Sequence, residues 1–100
     1  MAIKPIPRDV NFTERDDATV SVGKVIKVIS VDETFDFGDY RKEAQLIEWE
    51  DGSKSIRFGY YMKDHGAPEN QYQWGSQTAL ILKLENAEKF LYDALKLIKD

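Results

Sequence analysis

Glu48-Trp49-Glu50-Asp51-Gly52-Ser53-Lys54-Ser55-Ile56 is the stretch on which the fold turns. Asp51-Gly52 is a pair suited to a two-residue hairpin turn of the primed type, which needs residues that tolerate positive φ. Strand-forming runs flank it, over residues 40–50 and 53–63. A two-residue turn sets a register in which Glu50 faces Ser53 and Ile47 faces Ile56, and pairs repeat outward at two-residue steps. One face then collects Ile47, Trp49, Ile56, Phe58 and Tyr60 and reads as a core face. The other collects Lys42, Ala44, Leu46, Glu48, Arg57, Gly59, Tyr61 and Lys63, a mixed face of cations and a tyrosine.

Upstream, residues 19–31 are dominated by valine and isoleucine, split by Lys24 and Lys27, with a bend expected near Gly23. Residues 32–39 hold four acids and Gly38 and read as a loop. Residues 1–18 carry Pro5 and Pro7 with no sustained period, so they are expected to form a flexible arm ahead of a single domain over 19–100. Downstream, Gly66 and Pro68 mark a loop, and a fourth strand is expected from Tyr72 or Gln73 to Leu82. Ala87, Phe90, Leu91, Ala94, Leu95 and Ile98 then recur at helical spacing, with Asn86 placed to cap the start. The fold class is therefore α+β: a four-stranded antiparallel β-sheet followed by one C-terminal amphipathic helix. One helix covers one sheet face and leaves the other open, so a homodimer is expected.

Composition narrows the function. One hundred residues suit one domain with one modest core. No apolar run is long enough to cross a bilayer and no charged-then-apolar leader opens the chain, so neither a membrane span nor a signal peptide is expected. The absence of cysteine excludes disulfides and makes a cytoplasmic location the default. A formal charge of −4 argues against generic duplex-DNA binding, which shows as a basic surplus.

Catalysis has little to work with. His65 is the only histidine; it stands beside Asp64 without a nucleophile motif or the three or four ligands that a metal site needs. Glu48 and Glu50 share a strand face but no evident cleft, and no glycine-rich phosphate loop precedes a helix. No enzyme activity, metal or small-molecule cofactor is expected. Single-stranded nucleic acid needs flat side chains for bases and cations for phosphates. Arg57, Tyr61 and Lys63 share a face with Lys42 in the expected register, and Tyr72 and Trp74 flank the next strand. Tyr72 and Trp74 also share parity with Leu80 and Leu82, which fits burial in the core equally well.

The order of four strands and a helix, with Lys42-Glu43, Ile47-Glu48-Trp49 and Ile56-Arg57-Phe58-Gly59-Tyr60-Tyr61-Met62, resembles the single-stranded-DNA-binding domain of the positive-cofactor-four transcriptional coactivators, and looks closest to their small bacterial relatives. Residues 24–98 can be laid on that plan. The resemblance implies a curved sheet, a helix-mediated homodimer and sequence-tolerant binding of single-stranded DNA, in transcription or DNA maintenance, with Lys42, Arg57 and Tyr61 at motif positions. The chain departs from the family where Gly59 is inserted before the aromatic pair, where Ser76-Gln77 replaces a basic pair after Gly75, and where residues 32–39 lack a cation. The alternative is a non-catalytic protein-interaction module of the same fold that has lost nucleic-acid binding.

Overall fold

A stretch of β-branched residues interrupted by lysines builds the longest strand. In the computed structural model, which describes residues 3–13, 19–75 and 80–99, β2 (Val20–Phe35) runs for 16 residues and pairs antiparallel with β3 (Gly38–Trp49). The acidic segment expected as a loop is thus the far end of a hairpin. Its turn shrinks to Asp36-Phe37, closed by the pair Phe35–Gly38. Cross-strand partners explain this: Asp32 meets Arg41 at 2.8 Å, Glu33 meets Lys42, and Phe35 packs against both Phe37 and Tyr40. Opposite charges and aromatic pairs placed across an antiparallel ladder stabilise strand over loop. Between Val25 and Lys27 the register shifts by one residue, a bulge that lets the long strand bend.

The Asp51-Gly52 turn forms, but with one residue more than expected. The Trp49 amide donates to Ser53 O at 2.9 Å and the Gly52 amide to Trp49 O at 2.9 Å, so the loop is Glu50, Asp51 and Gly52. Gly52 alone carries the left-handed conformation there, with φ 87°, as in three-residue hairpins that end on a bulge glycine. The Asp51 carboxylate accepts the Ser53 amide at 2.9 Å and holds the third residue in the loop. The register with β4 (Lys54–Lys63) becomes Glu48↔Lys54, Leu46↔Ile56 and Gln45↔Arg57, not Glu50↔Ser53 and Ile47↔Ile56. Because side chains alternate with period two, this slip exchanges the β4 faces relative to β3. Ile47 and Trp49 share a face with Ser55, Arg57, Gly59, Tyr61 and Lys63, and Lys42, Ala44 and Leu46 share the opposite face with Ile56, Phe58 and Tyr60.

The expected arm contains a strand. β1 (Arg8–Thr13) pairs with the first half of β2, Val10 opposite Gly23 and Arg8 opposite Val25. Pro5 and Pro7 lack the amide hydrogen a ladder needs, and the strand begins at Arg8. Residues 1–2 and 14–18 of the expected arm lie outside the described residues. After a 3-10 turn at Glu69–Gln71, the described parts of the expected fourth strand are β5 (Gln73–Trp74) and β6 (Leu80–Lys83), both antiparallel to β4 along one edge. Residues 76–79 of that expectation lie outside the described residues. The sheet therefore runs β1-β2-β3-β4-β5, with β6 also on β4.

This sheet curls, and Arg8 of β1 reaches across the inside of the curl to Glu43 of β3 and Tyr61 of β4. The inner face holds the core, Val10, Val25 and Ile47, with Val28 and Trp49 packed against it. The helix α1 (Leu84–Lys99) starts directly after β6, so Asn86 lies within its first turn and does not cap it. It contacts β4 and β6 and buries Ala87, but Phe90, Leu91 and Leu95 of the expected core stripe stand in solvent. The radius of gyration, 15.0 Å, exceeds the roughly 13 Å of a compact 100-residue chain. Among the described residues no helix is long and apolar enough to cross a membrane.

Candidate functional site

The corrected register sends the residues expected to form one strip to two faces. Arg57, Tyr61, Lys63, Tyr72 and Trp74 belong to the inner-face side of the sheet, and Lys42 stands alone on the outer face. On the inner face, β1, β3, β4 and β5 together close a ring of contacts. Arg8 Nη1 donates to Glu43 Oε1 at 2.7 Å, and Gln45 Nε2 donates to the same oxygen at 2.8 Å. Arg57 Nε donates to Gln45 Oε1 at 2.7 Å, and its guanidinium lies 4.8 Å from the centre of the Trp74 ring. Trp74 meets Tyr61 edge-on at 5.0 Å, and Tyr61 lies under the Arg8 guanidinium at 5.8 Å. Burial pushes the Arg57 guanidinium below its ordinary pKa, since a low-dielectric setting disfavours the charged form. The buried Glu43 supplies the compensating charge.

Gly59 is the reason this ring can form. A Cβ there would stand 2.2 Å from the Trp74 ring, so the indole lies directly on the backbone at this point. Gly59 is thus a packing requirement of Trp74.

At the other end of the inner face, Asp39 gathers three donors: Lys63 Nζ at 2.7 Å, His65 Nδ1 at 2.9 Å and the Gly66 amide at 3.2 Å. These hydrogen bonds, that from Lys63 first, hold the Asp39 carboxyl well below the usual carboxylate range, and the same pairing raises Lys63. Tyr72 is buried, with Lys63 at 5.3 Å and Arg41 at 5.8 Å from its ring. Lys63 and Tyr72 therefore close the base of the curl, and neither presents its working group to a ligand. Of the two sequence readings for Tyr72, core placement is the one observed.

The outer face has a different chemistry. Phe35 and Phe37 stack at 5.3 Å with their planes 9° apart, Tyr40 meets both edge-on at 5.6 and 6.1 Å, and Tyr60 continues the row 5.6 Å from Tyr40. Phe37, at the tip of the β2–β3 hairpin, is 71% exposed. Gly75 lies beneath Tyr60, where a Cβ would come within 2.2 Å of the ring. Beside the aromatic row, Ile29, Val31, Lys42, Ala44, Phe58 and Tyr60 line an open groove of about 500 Å³. The strand alternation puts Lys24, Lys27, Lys42 and Lys54 on this face against Asp9, Glu33 and Glu48. Lys42 bonds Glu33, and Lys54 comes within 4.0 Å of Glu48. An acidic protein thus carries one sheet face on which cations outnumber acids.

Sequence reasoning missed Phe35, Phe37, Tyr40 and Tyr60 as a unit because the acidic stretch hid the strand that presents them. The available signal was the alternation Ile29, Val31, Glu33, Phe35, which continues through the acids without a break. Among the described residues no group of three or more histidine, cysteine, aspartate or glutamate side chains is arranged to hold a metal ion. The chain matches no family model, no curated protein and no solved structure.

Proposed function

We propose that this protein is a non-catalytic, homodimeric binder of single-stranded nucleic acid that uses the outer face of its sheet. The observation that carries this reading is the aromatic row Phe37–Phe35–Tyr40–Tyr60, exposed at Phe35 and Phe37 and half-buried at the tyrosines, beside a face with four lysines and three acids. Sequence-tolerant binding needs aromatic surfaces for bases and a cationic track for the backbone, and each stacked base contributes about 1–3 kcal/mol. Lys42, 5.7 Å from the Phe35 ring, joins the two elements. Arg57 and Trp74 are assigned to the inner framework, since their contacts are spent on Gln45, Tyr61 and Gly59.

Titration of a fluorescent oligothymidylate at low salt tests the reading. Phe37→Ala is expected to weaken binding about tenfold, and Lys42→Glu to weaken it and flatten the salt dependence, which for single strands falls by about 0.7 log units per phosphate contact. Arg57→Lys, which keeps the inner charge, is expected to leave affinity unchanged. Absence of binding at low salt, or loss of binding only in Arg57→Lys, would sink the proposal.

The second reading, a protein-interaction module, draws on one observation: the groove beside the aromatic row is lined almost wholly by apolar side chains, with Ile29 76% and Val31 59% exposed. Exposed apolar patches rimmed by polar groups mark protein contacts. Recovery of one stoichiometric protein partner, lost on Val31→Lys and accompanied by no oligonucleotide binding, would favour it.

A further inference from the structure

β2 has a free edge. β1 covers only Val20–Val25, so from Lys27 to Phe35 the strand is paired on one side alone among the described residues. An uncovered edge of this length is a template for another strand, and natural edges are normally blunted or covered. The β2–β3 turn is closed by Phe35–Gly38. In a two-residue hairpin the closing pair is hydrogen-bonded, and bonded pairs alternate along the ladder. Glu33, Val31, Ile29 and Lys27 therefore bond to β3, and Val28, Ser30 and Asp32 turn their backbone groups outward to the open side.

The outer-face side chains along this edge are self-complementary. A two-fold axis through Ser30 places Lys27 opposite Glu33 of a second copy and Ile29 opposite Val31 of that copy, each contact occurring twice. All four side chains project from the outer face. Lys27 is exposed and has no ion pair among the described residues. An axis through Ile29 would set Lys27 against Val31, and an axis through Val31 would set Glu33 against Ile29. On the outer face only the Ser30 axis matches charge with opposite charge and apolar with apolar, and that outer-face match identifies the occupant as another copy of this chain. On the inner face the same axis sets Val28 against Asp32, whose carboxylate is bonded to Arg41 of its own copy.

We infer that the homodimer forms by antiparallel pairing of β2 with β2 of a second copy about Ser30, joining the two outer faces into one continuous sheet surface. This rests on the homodimer in the proposed function and names its interface. In a continuous surface the two aromatic rows lie on one side of the dimer, at its opposite flanks, so one strand of nucleic acid can span both copies.

The chain contains no cysteine, so single substitutions report on the axis directly. Residues facing each other in a hydrogen-bonded antiparallel pair have Cα atoms about 5.5 Å apart, within the range a disulfide accepts. Under mild oxidation Ser30→Cys is expected to convert most of the protein to a covalent dimer, whereas Val28→Cys and Asp32→Cys, each displaced from its own copy, are not. Sedimentation of wild type at the same concentrations separates the possible failures. A monomer throughout overturns the homodimer and this interface together. A dimer in which Ser30→Cys stays uncrosslinked while Leu95→Cys on the exposed α1 stripe crosslinks overturns the interface and leaves the homodimer standing. Lys27→Glu is expected to shift the equilibrium at least tenfold toward monomer, and Lys27→Glu with Glu33→Lys to restore it; an unchanged dimer in Lys27→Glu counts against the pairing.

Discussion

The two faces of one sheet solve opposite problems. The inner face is rich in charged and polar groups, yet each is paired: Arg8 with Glu43, Arg57 with Gln45, Lys63 with Asp39. Among the described residues no buried side-chain nitrogen or oxygen lacks a partner. The outer face is rich in apolar and aromatic groups, yet leaves many of them in water, Ile29, Val31, Phe35 and Phe37 among them. Residue type alone would assign the roles the other way round. What decides is satisfaction: a buried polar network whose members bond one another specifies the curl, and an exposed apolar surface is left free to bind.

The largest break in this contrast is expected inside. Glu43→Ala strips the carboxylate from between Arg8 and Gln45 and leaves a nearly buried guanidinium without its counter-charge. Removing one partner of a buried ion pair costs about 3–5 kcal/mol, and chemical denaturation is expected to show a loss of that order. Gly59→Ala comes next. Its methyl group meets the Trp74 ring, and overpacking of this kind costs about 1–3 kcal/mol, with a change in tryptophan fluorescence as the ring moves.

A third effect is set by pH. The Asp39 carboxyl is held below its ordinary pKa by Lys63, His65 and Gly66. A depressed carboxylate contributes stability that is fully present above its unfolded pKa, near 4, and is lost as pH falls through the folded value. Wild type is therefore expected to be more stable than Asp39→Asn at pH 7, and the two melting curves to converge as pH drops below about 4. Parallel curves across that window would contradict the assignment. The smallest stability change is expected outside: Phe37→Ala, at an exposed hairpin tip, should stay within about 0.5 kcal/mol of wild type while losing oligonucleotide affinity. That dissociation of stability from binding is what separates the faces most sharply.

How far the sequence could be read depends on the element. The helix was legible from the recurrence of Ala87, Leu91 and Leu95, and β2 from its β-branched run, because both signals are local. The Asp51-Gly52 turn was legible as a turn but not in its length, since the extra residue depends on the Asp51 carboxylate bonding Ser53. Arg8–Thr13 carries little pattern of its own and becomes a strand against the β2 backbone. At the candidate site, the expected strip of Lys42, Arg57, Tyr61 and Lys63 divides between two faces, all from that one turn residue.

The sequence by itself determined the central elements, the runs that became β2, β3 and β4, a turn at Asp51-Gly52 and a closing amphipathic helix, each encoded by local residue pattern, but not the strand at Arg8–Thr13. Only the tertiary structure decided which side chains share a face. A period of two makes facing depend on the parity of a turn, and that parity is set by hydrogen bonds at Trp49, Asp51 and Ser53 that no hydrophobic pattern records.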